Sequence, residues 1–123
     1  MDFNFDFNYL RSGTPIVTLS SLGIAFNRGA IDMLGAPAQI IVGYDEKKHA
    51  IGVRNRGDNT TAPHFDFASR IRHEWVRIGA KDFVRYIAKV SGIDFLTKAK
   101  QFIPEYDPET NTLIIVVDEQ HLK

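Results

Sequence analysis

The sequence predicts an α+β fold, mostly β: a small β-barrel-like domain built from two strand-strand-helix-hairpin repeats. Three observations carry this expectation. Alternating and β-branched stretches outnumber stretches with helical spacing, of which there are two. Each helical stretch follows a pair of short strand-like runs. A phrase also recurs: residues 44–53 read YDEKKHAIGV and residues 106–116 read YDPETNTLIIV. Both are polar turns leading into apolar runs, the mark of a β-hairpin.

The elements follow in order. Residues 1–15 form an N-terminal aromatic strand, with Phe3, Phe5, Phe7 and Tyr9 alternating with Asp2, Asn4, Asp6 and Asn8. Ser12-Gly13-Thr14-Pro15 ends it. Residues 16–55 form the first repeat. Ile16 to Ser20 is β-rich, Leu22-Gly23 turns, and Ile24 to Phe26 is a short strand. Asn27 can cap a helix through Leu34, which Gly35 and Pro37 stop. Gln39 to Tyr44 and Ala50 to Arg54 are strands around the turn Asp45-Glu46-Lys47-Lys48. Residues 56–63, rich in Gly, Asn, Thr and Pro, read as a linker.

The second repeat spans 64–118. His64 to His73 reads as a strand and Glu74 to Ile78 as another. Ala80 to Val90 carries Phe83, Ile87 and Val90 at helical spacing, stopped by Ser91-Gly92. Gln101 to Tyr106 and Leu113 to Val117 are strands around Asp107-Pro108-Glu109-Thr110-Asn111. Aligned this way, the two YD phrases coincide, and the two repeats are expected to share one compact domain.

Composition excludes several classes. The chain has 123 residues, 44% of them hydrophobic, which suits one domain with a single core. It has no Cys, so disulfides, thiolate metal sites and a Cys nucleophile are excluded. The start lacks the basic and apolar regions of a signal peptide, and no apolar run approaches the roughly 20 residues that cross a bilayer. A cytoplasmic protein without membrane contact is expected.

Residues 16–55, IVTLSSLGIAFNRGAIDMLGAPAQIIVGYDEKKHAIGVRN, resemble the AbrB/SpoVT/MazE family of small swapped-hairpin β-barrels. The likeness lies in a strand, Leu22-Gly23, a short strand into a short helix ending Leu34-Gly35, and a hairpin with an acidic turn. It implies a DNA-binding, transcription-regulator-like module that works as a homodimer. The family usually places Arg after the first Gly, Pro at the helix start and an Arg pair before Leu-Gly. Here Ile24, Asn27 and Ile31-Asp32-Met33 stand in those places. The first half therefore lacks the cations that the family sets against phosphates.

The cations lie further on. Net charge is zero, yet residues 54–100 hold ten basic and five acidic side chains. Lys81, Arg85 and Lys89 recur every four residues, which places them on one stripe of the second helix. Arg70 and Arg72 alternate along the expected strand, and Arg77 follows Trp75. This 70–89 patch is the candidate nucleic-acid surface, for DNA or RNA. The single Trp of a small domain is expected in the core; the alternative is that Trp75 stacks on a base. The Phe3, Phe5, Phe7 edge is the candidate homodimer or partner surface. A second reading is a protein–protein module, antitoxin or inhibitor in kind, that binds no nucleic acid.

Enzymatic signals are thin. His64-Phe65-Asp66 places an imidazole and a carboxylate on one face of a strand. No nucleophile elbow, zinc-binding His pair or phosphate loop accompanies them. No catalytic residue, metal site or cofactor is expected.

Overall fold

A computed structural model describes residues 13–59 and 61–123. The N-terminal aromatic stretch with Phe3, Phe5 and Phe7 lies outside these residues. The described part is α+β and mostly β, with two antiparallel sheets and two α-helices around one core.

The first hairpin joins β1 (Val17–Ser20) to β2 (Gly23–Phe26). Its sequence fits because Val17, Leu19, Ile24 and Phe26 all point inward and are fully buried. Gly23 is required at its position. Its φ is +124°, and a Cβ there would sit 2.1 Å from the Ile78 carbonyl oxygen. Asn27 then does three things at once. Its Oδ1 accepts from the Ala30 N–H at 3.0 Å, capping α1 (Arg28–Met33), and from the Ile16 N–H at 2.8 Å. Its Nδ2 donates to the Thr14 carbonyl at 2.8 Å. One side chain thus starts the helix and ties down the lead into β1.

The second hairpin, β3 (Gln39–Asp45) and β4 (Ala50–Asn55), carries the first YD phrase. Asp45 Oδ1 accepts the Lys47 and Lys48 N–H groups at 3.0 and 3.1 Å. His49 adopts φ +53°, and the Tyr44 hydroxyl meets its Nδ1 at 3.3 Å. The hairpin of β8 (Glu105–Asp107) and β9 (Thr112–Val116) repeats the device. Asp107 Oδ1 accepts the Glu109 N–H at 3.0 Å, Asn111 has φ +52°, and the Tyr106 hydroxyl donates to Asn111 Oδ1 at 3.0 Å. The repeated phrase therefore encodes one turn used twice: an Asp that closes it and a Tyr that locks its left-handed residue. The hairpins lie side by side, β4 against β9, so the two turns stand at opposite ends of the sheet.

With β5 (His64–Asp66), β6 (Val76–Ile78) and β7 (Lys100–Phe102), the sheets run β6-β2-β1-β7 and β5-β3-β4-β9-β8. Among the described residues each is open, with two edge strands, so the expected barrel does not close. The second half also departs from the first. The stretch expected as one strand, 64–73, gives β5 (His64–Asp66) and then a 3₁₀ turn at Ala68–Arg70. β5, aligned with β1, pairs with β3 instead of with β6 (Val76–Ile78). The expected strand 101–106 is two strands in different sheets, β7 (Lys100–Phe102) and β8. Pro104 between them has no N–H to continue a ladder. Helix α2 (Lys81–Ser91) buries Val84 and Ile87; Phe83 is half-buried and Val90 is exposed, so Val84, not Val90, completes its inward stripe. Residues 56–59 are tied back: the Arg56 guanidinium donates to Gln39 Oε1 at 2.7 Å and to the Asn59 carbonyl at 2.9 Å.

Candidate nucleic-acid interface

The cleft of interest lies on the outward face of the first sheet. In β6, Val76 and Ile78 are buried, so alternation turns Arg77 outward. Trp75, two residues earlier, shares that side. Directly across from Arg77 in β2 stands Ala25, a small residue between the buried Ile24 and Phe26. A large side chain at 25 would fill this place; Ala leaves it open.

A tight reversal precedes β6. Arg72 and Trp75 pair antiparallel, with the Arg72 N–H donating to the Trp75 carbonyl at 2.8 Å and the reverse bond at 3.0 Å. Residues directly opposite in such a pair project to the same face. Arg72 and Trp75 are therefore neighbours by construction. The two turn residues, His73 and Glu74, have φ of +53° and +69°. Both are left-handed, as a type I′ reversal demands, and neither is the Asn or Gly that takes this conformation readily. The chain accepts this strain where Arg72 and Trp75 are brought together.

The result is a cleft of about 460 Å³ lined by Ala25, Ser69, Arg70, Arg72, Trp75 and Arg77. Trp75 is 39% exposed. This corrects the expectation of a core tryptophan: Val76 takes the inward place, and the indole is left on the wall of the cleft. Arg70 and Arg72 do not alternate on a strand as expected, because Arg70 ends the 3₁₀ turn. The structure still brings them together with Arg77.

The electrostatics of the cleft are one-sided. Arg72 Nη1 donates to the Ser69 and Ile71 carbonyls at 3.1 and 2.8 Å, which fixes the guanidinium without neutralising it. Among the described residues, no carboxylate pairs with Arg70, Arg72 or Arg77. The nearest acid in sequence, Glu74, is drawn away: its Oε2 lies 3.6 Å from Arg28 Nε, and Arg28 also meets Asp32 Oδ1 at 3.0 Å. Three positive charges therefore share the cleft with one exposed indole.

The remaining predicted cations are elsewhere. α2 sends Val84 and Ile87 into the core against β1 and β2, and its Phe83 packs edge-on to Tyr44 at 6.5 Å. It therefore covers the inward face of the sheet whose outward face bears the cleft. Lys81, Arg85 and Lys89 are exposed on its far side, as the spacing predicts. Acids are interleaved with them. Arg85 lies 3.6 Å from Asp82, and Asp94 shares a shallow groove with Arg85 and Lys89. The six cations therefore form two sets on different faces, not one patch.

His64 and Asp66 are both exposed, and Asp66 accepts from Gln39 Nε2 at 3.1 Å. A closer His–carboxylate contact is His121 Nδ1 to Asp118 Oδ1 at 2.6 Å, which holds the Asp118 carboxyl below the ordinary carboxylate range. Sequence reasoning missed it, although the spacing of three in the tail was readable. It missed Ala25 and Ser69 as cleft residues for a different reason: the pairing of β2 with β6 brings Ala25 there, and the 3₁₀ turn at Ala68–Arg70 carries Ser69 to the same cleft. Among the described residues, no group of three His, Cys, Asp or Glu side chains is placed to hold a metal ion, and no helix is long and apolar enough to cross a membrane.

No protein family, curated protein or solved structure matches this chain.

Proposed function

We propose that the protein is a non-enzymatic nucleic-acid-binding module and that the Arg70, Arg72, Arg77 cleft is its contact surface. The observation that carries this reading is three arginines, none paired with a carboxylate among the described residues, in one cleft with an exposed tryptophan. Unneutralised guanidinium groups attract phosphates, and each contact releases counterions on binding. Solvated cations alone would suit any acidic surface. The indole favours a nucleic acid, because bases offer a flat partner and phosphates lie within a few ångströms of it. The AbrB-like pattern of residues 16–55 agrees with a DNA-binding module but supplies no contact residue of its own. Lys81, Arg85 and Lys89 contribute only to the general field, because Asp82 and Asp94 lie among them.

Fluorescence anisotropy of labelled single-stranded and duplex DNA, at about 50 and 200 mM salt, tests the reading. Affinity is expected to fall tenfold or more across that range. The double variant Arg70→Glu/Arg77→Glu is expected to lose at least tenfold at the lower salt. Reversal of Lys81, Arg85 and Lys89 together is expected to cost less than about threefold, as a distant charge does. No binding by the wild type would end the proposal. Loss on reversing the helix set alone would move the surface to α2.

A further inference from the structure

We infer that the cleft takes one unpaired nucleotide, with Trp75 stacked on its base and Arg70 and Arg77 on its flanking phosphates, so that the protein selects single-stranded over duplex nucleic acid. This rests on the nucleic-acid reading above and deepens it. The argument is geometric. In a duplex, each base face is covered by the next base, and only edges and phosphates are offered. An aromatic ring that works on a duplex must stand at a convex tip and wedge a step open. Trp75 instead lines the wall of a concavity, behind the Arg72–Trp75 reversal and above the small Ala25. About 460 Å³ is room for a single nucleotide.

The charges agree with this placement. Arg72 is held by two backbone carbonyls, so it is a fixed wall beside the indole. Arg70 and Arg77 come from different elements, the end of the 3₁₀ turn and the centre of β6. Both line the cleft together with the indole, so cations from two elements are at hand for the phosphates that flank a stacked base. Glu74, the acid that would repel the phosphates, is turned toward Arg28. Stacking tolerates every base, so discrimination between strands is expected without strong sequence preference.

Trp75 is the only tryptophan in the chain, so its fluorescence reports this cleft alone. The test titrates the full chain with ten-nucleotide oligo-dT, oligo-U and a blunt ten-base-pair duplex at about 50 mM salt. Emission and the anisotropy of labelled oligonucleotide are both read. The expected result is quenching by the single strands and little by the duplex. Trp75→Ala, with its fold checked by far-UV circular dichroism, is expected to weaken oligo-dT binding tenfold or more and duplex binding less than twofold. Trp75→Phe is expected to retain part of the loss. Stronger quenching by oligo-U than by oligo-dT would assign the site to RNA, and the reverse to DNA; either supports the inference. Equal binding of single and double strands, with Trp75→Ala harmless, would overturn it and leave the phosphate contacts standing. Absence of binding by every oligonucleotide would overturn both.

Discussion

Gly23 and Asn27 show how much of the fold rests on single residues. At Gly23, a methyl group would meet the Ile78 carbonyl at 2.1 Å, and φ of +124° disfavours any L side chain. Gly23→Ala must therefore push β6 off β2, and a loss of about 2 kcal/mol or more is expected in urea unfolding. Asn27→Ala removes a helix cap and two ties to the segment before β1, for an expected loss of about 1–2 kcal/mol. A loss below about 0.5 kcal/mol in either variant would show that the backbone rearranges freely there. Asn27 was legible from sequence because a cap is a local device: an Asn before a short apolar-periodic run. Trp75 was not. Whether a tryptophan faces in or out depends on strand phase, and the phase here is set by a reversal at His73-Glu74 that nothing in the residue types announces.

Among the elements, that reversal is the one whose local sequence disagrees with its conformation. Two non-glycine residues are held left-handed, each at a cost of about 1–2 kcal/mol. Replacing His73-Glu74 by Asn-Gly is expected to raise stability by about 1 kcal/mol, seen as a rise of a few degrees in Tm. A fall in Tm would mean that the Glu74–Arg28 contact outweighs the strain. The second YD turn behaves in the opposite way, because its left-handed residue is Asn111, a type that takes this conformation readily. Hydrogen bonds from the Thr110 hydroxyl and the Glu109 N–H hold the Asp107 carboxyl below its ordinary value. A carboxylate with a depressed folded-state pKa stabilises above its unfolded pKa, near 3.8, and loses that contribution as pH falls through the folded value. The stability gap between wild type and Asp107→Ala is therefore expected to be full at pH 6 and smaller at pH 3. An equal gap at both would show that the charge plays no part in closing the turn. Such turns, and the hairpins and helices they bound, were readable because their signals lie within a few residues. The single strand expected over 101–106 failed because Pro104 sends its two halves to different sheets, and strand partners are chosen by the core, not by neighbours in sequence.

At the scale of the whole molecule, the apparent division into two repeats does not make two folding units. The sequence suggests a boundary at 56–63, yet four of the seven strand pairings among the described residues cross it. β1 pairs with β7, β2 with β6, β3 with β5 and β4 with β9. Of the described strand pairings, the first half alone would keep only the β1–β2 and β3–β4 hairpins, and isolated hairpins are marginal in water. Its buried Leu19, Ile24, Phe26, Ile51 and Val53 would lose the facing Val76, Ile78, Ile87, Phe102 and Leu113. Burying a side chain of this size is worth about 1.5–3 kcal/mol, so neither half retains enough to offset its chain entropy. Unfolding is therefore expected to be a single transition. Trp75 fluorescence, which reports the cleft, and far-UV circular dichroism, which reports both sheets, should give the same urea midpoint. Separate fragments 1–57 and 58–123 should each be unfolded, and mixing them should restore the circular dichroism of the intact chain. Two resolved transitions, or a folded fragment, would mean that one half carries its own core. The cleft would share that fate, because its floor, Ala25, belongs to the first half and its arginines and tryptophan to the second.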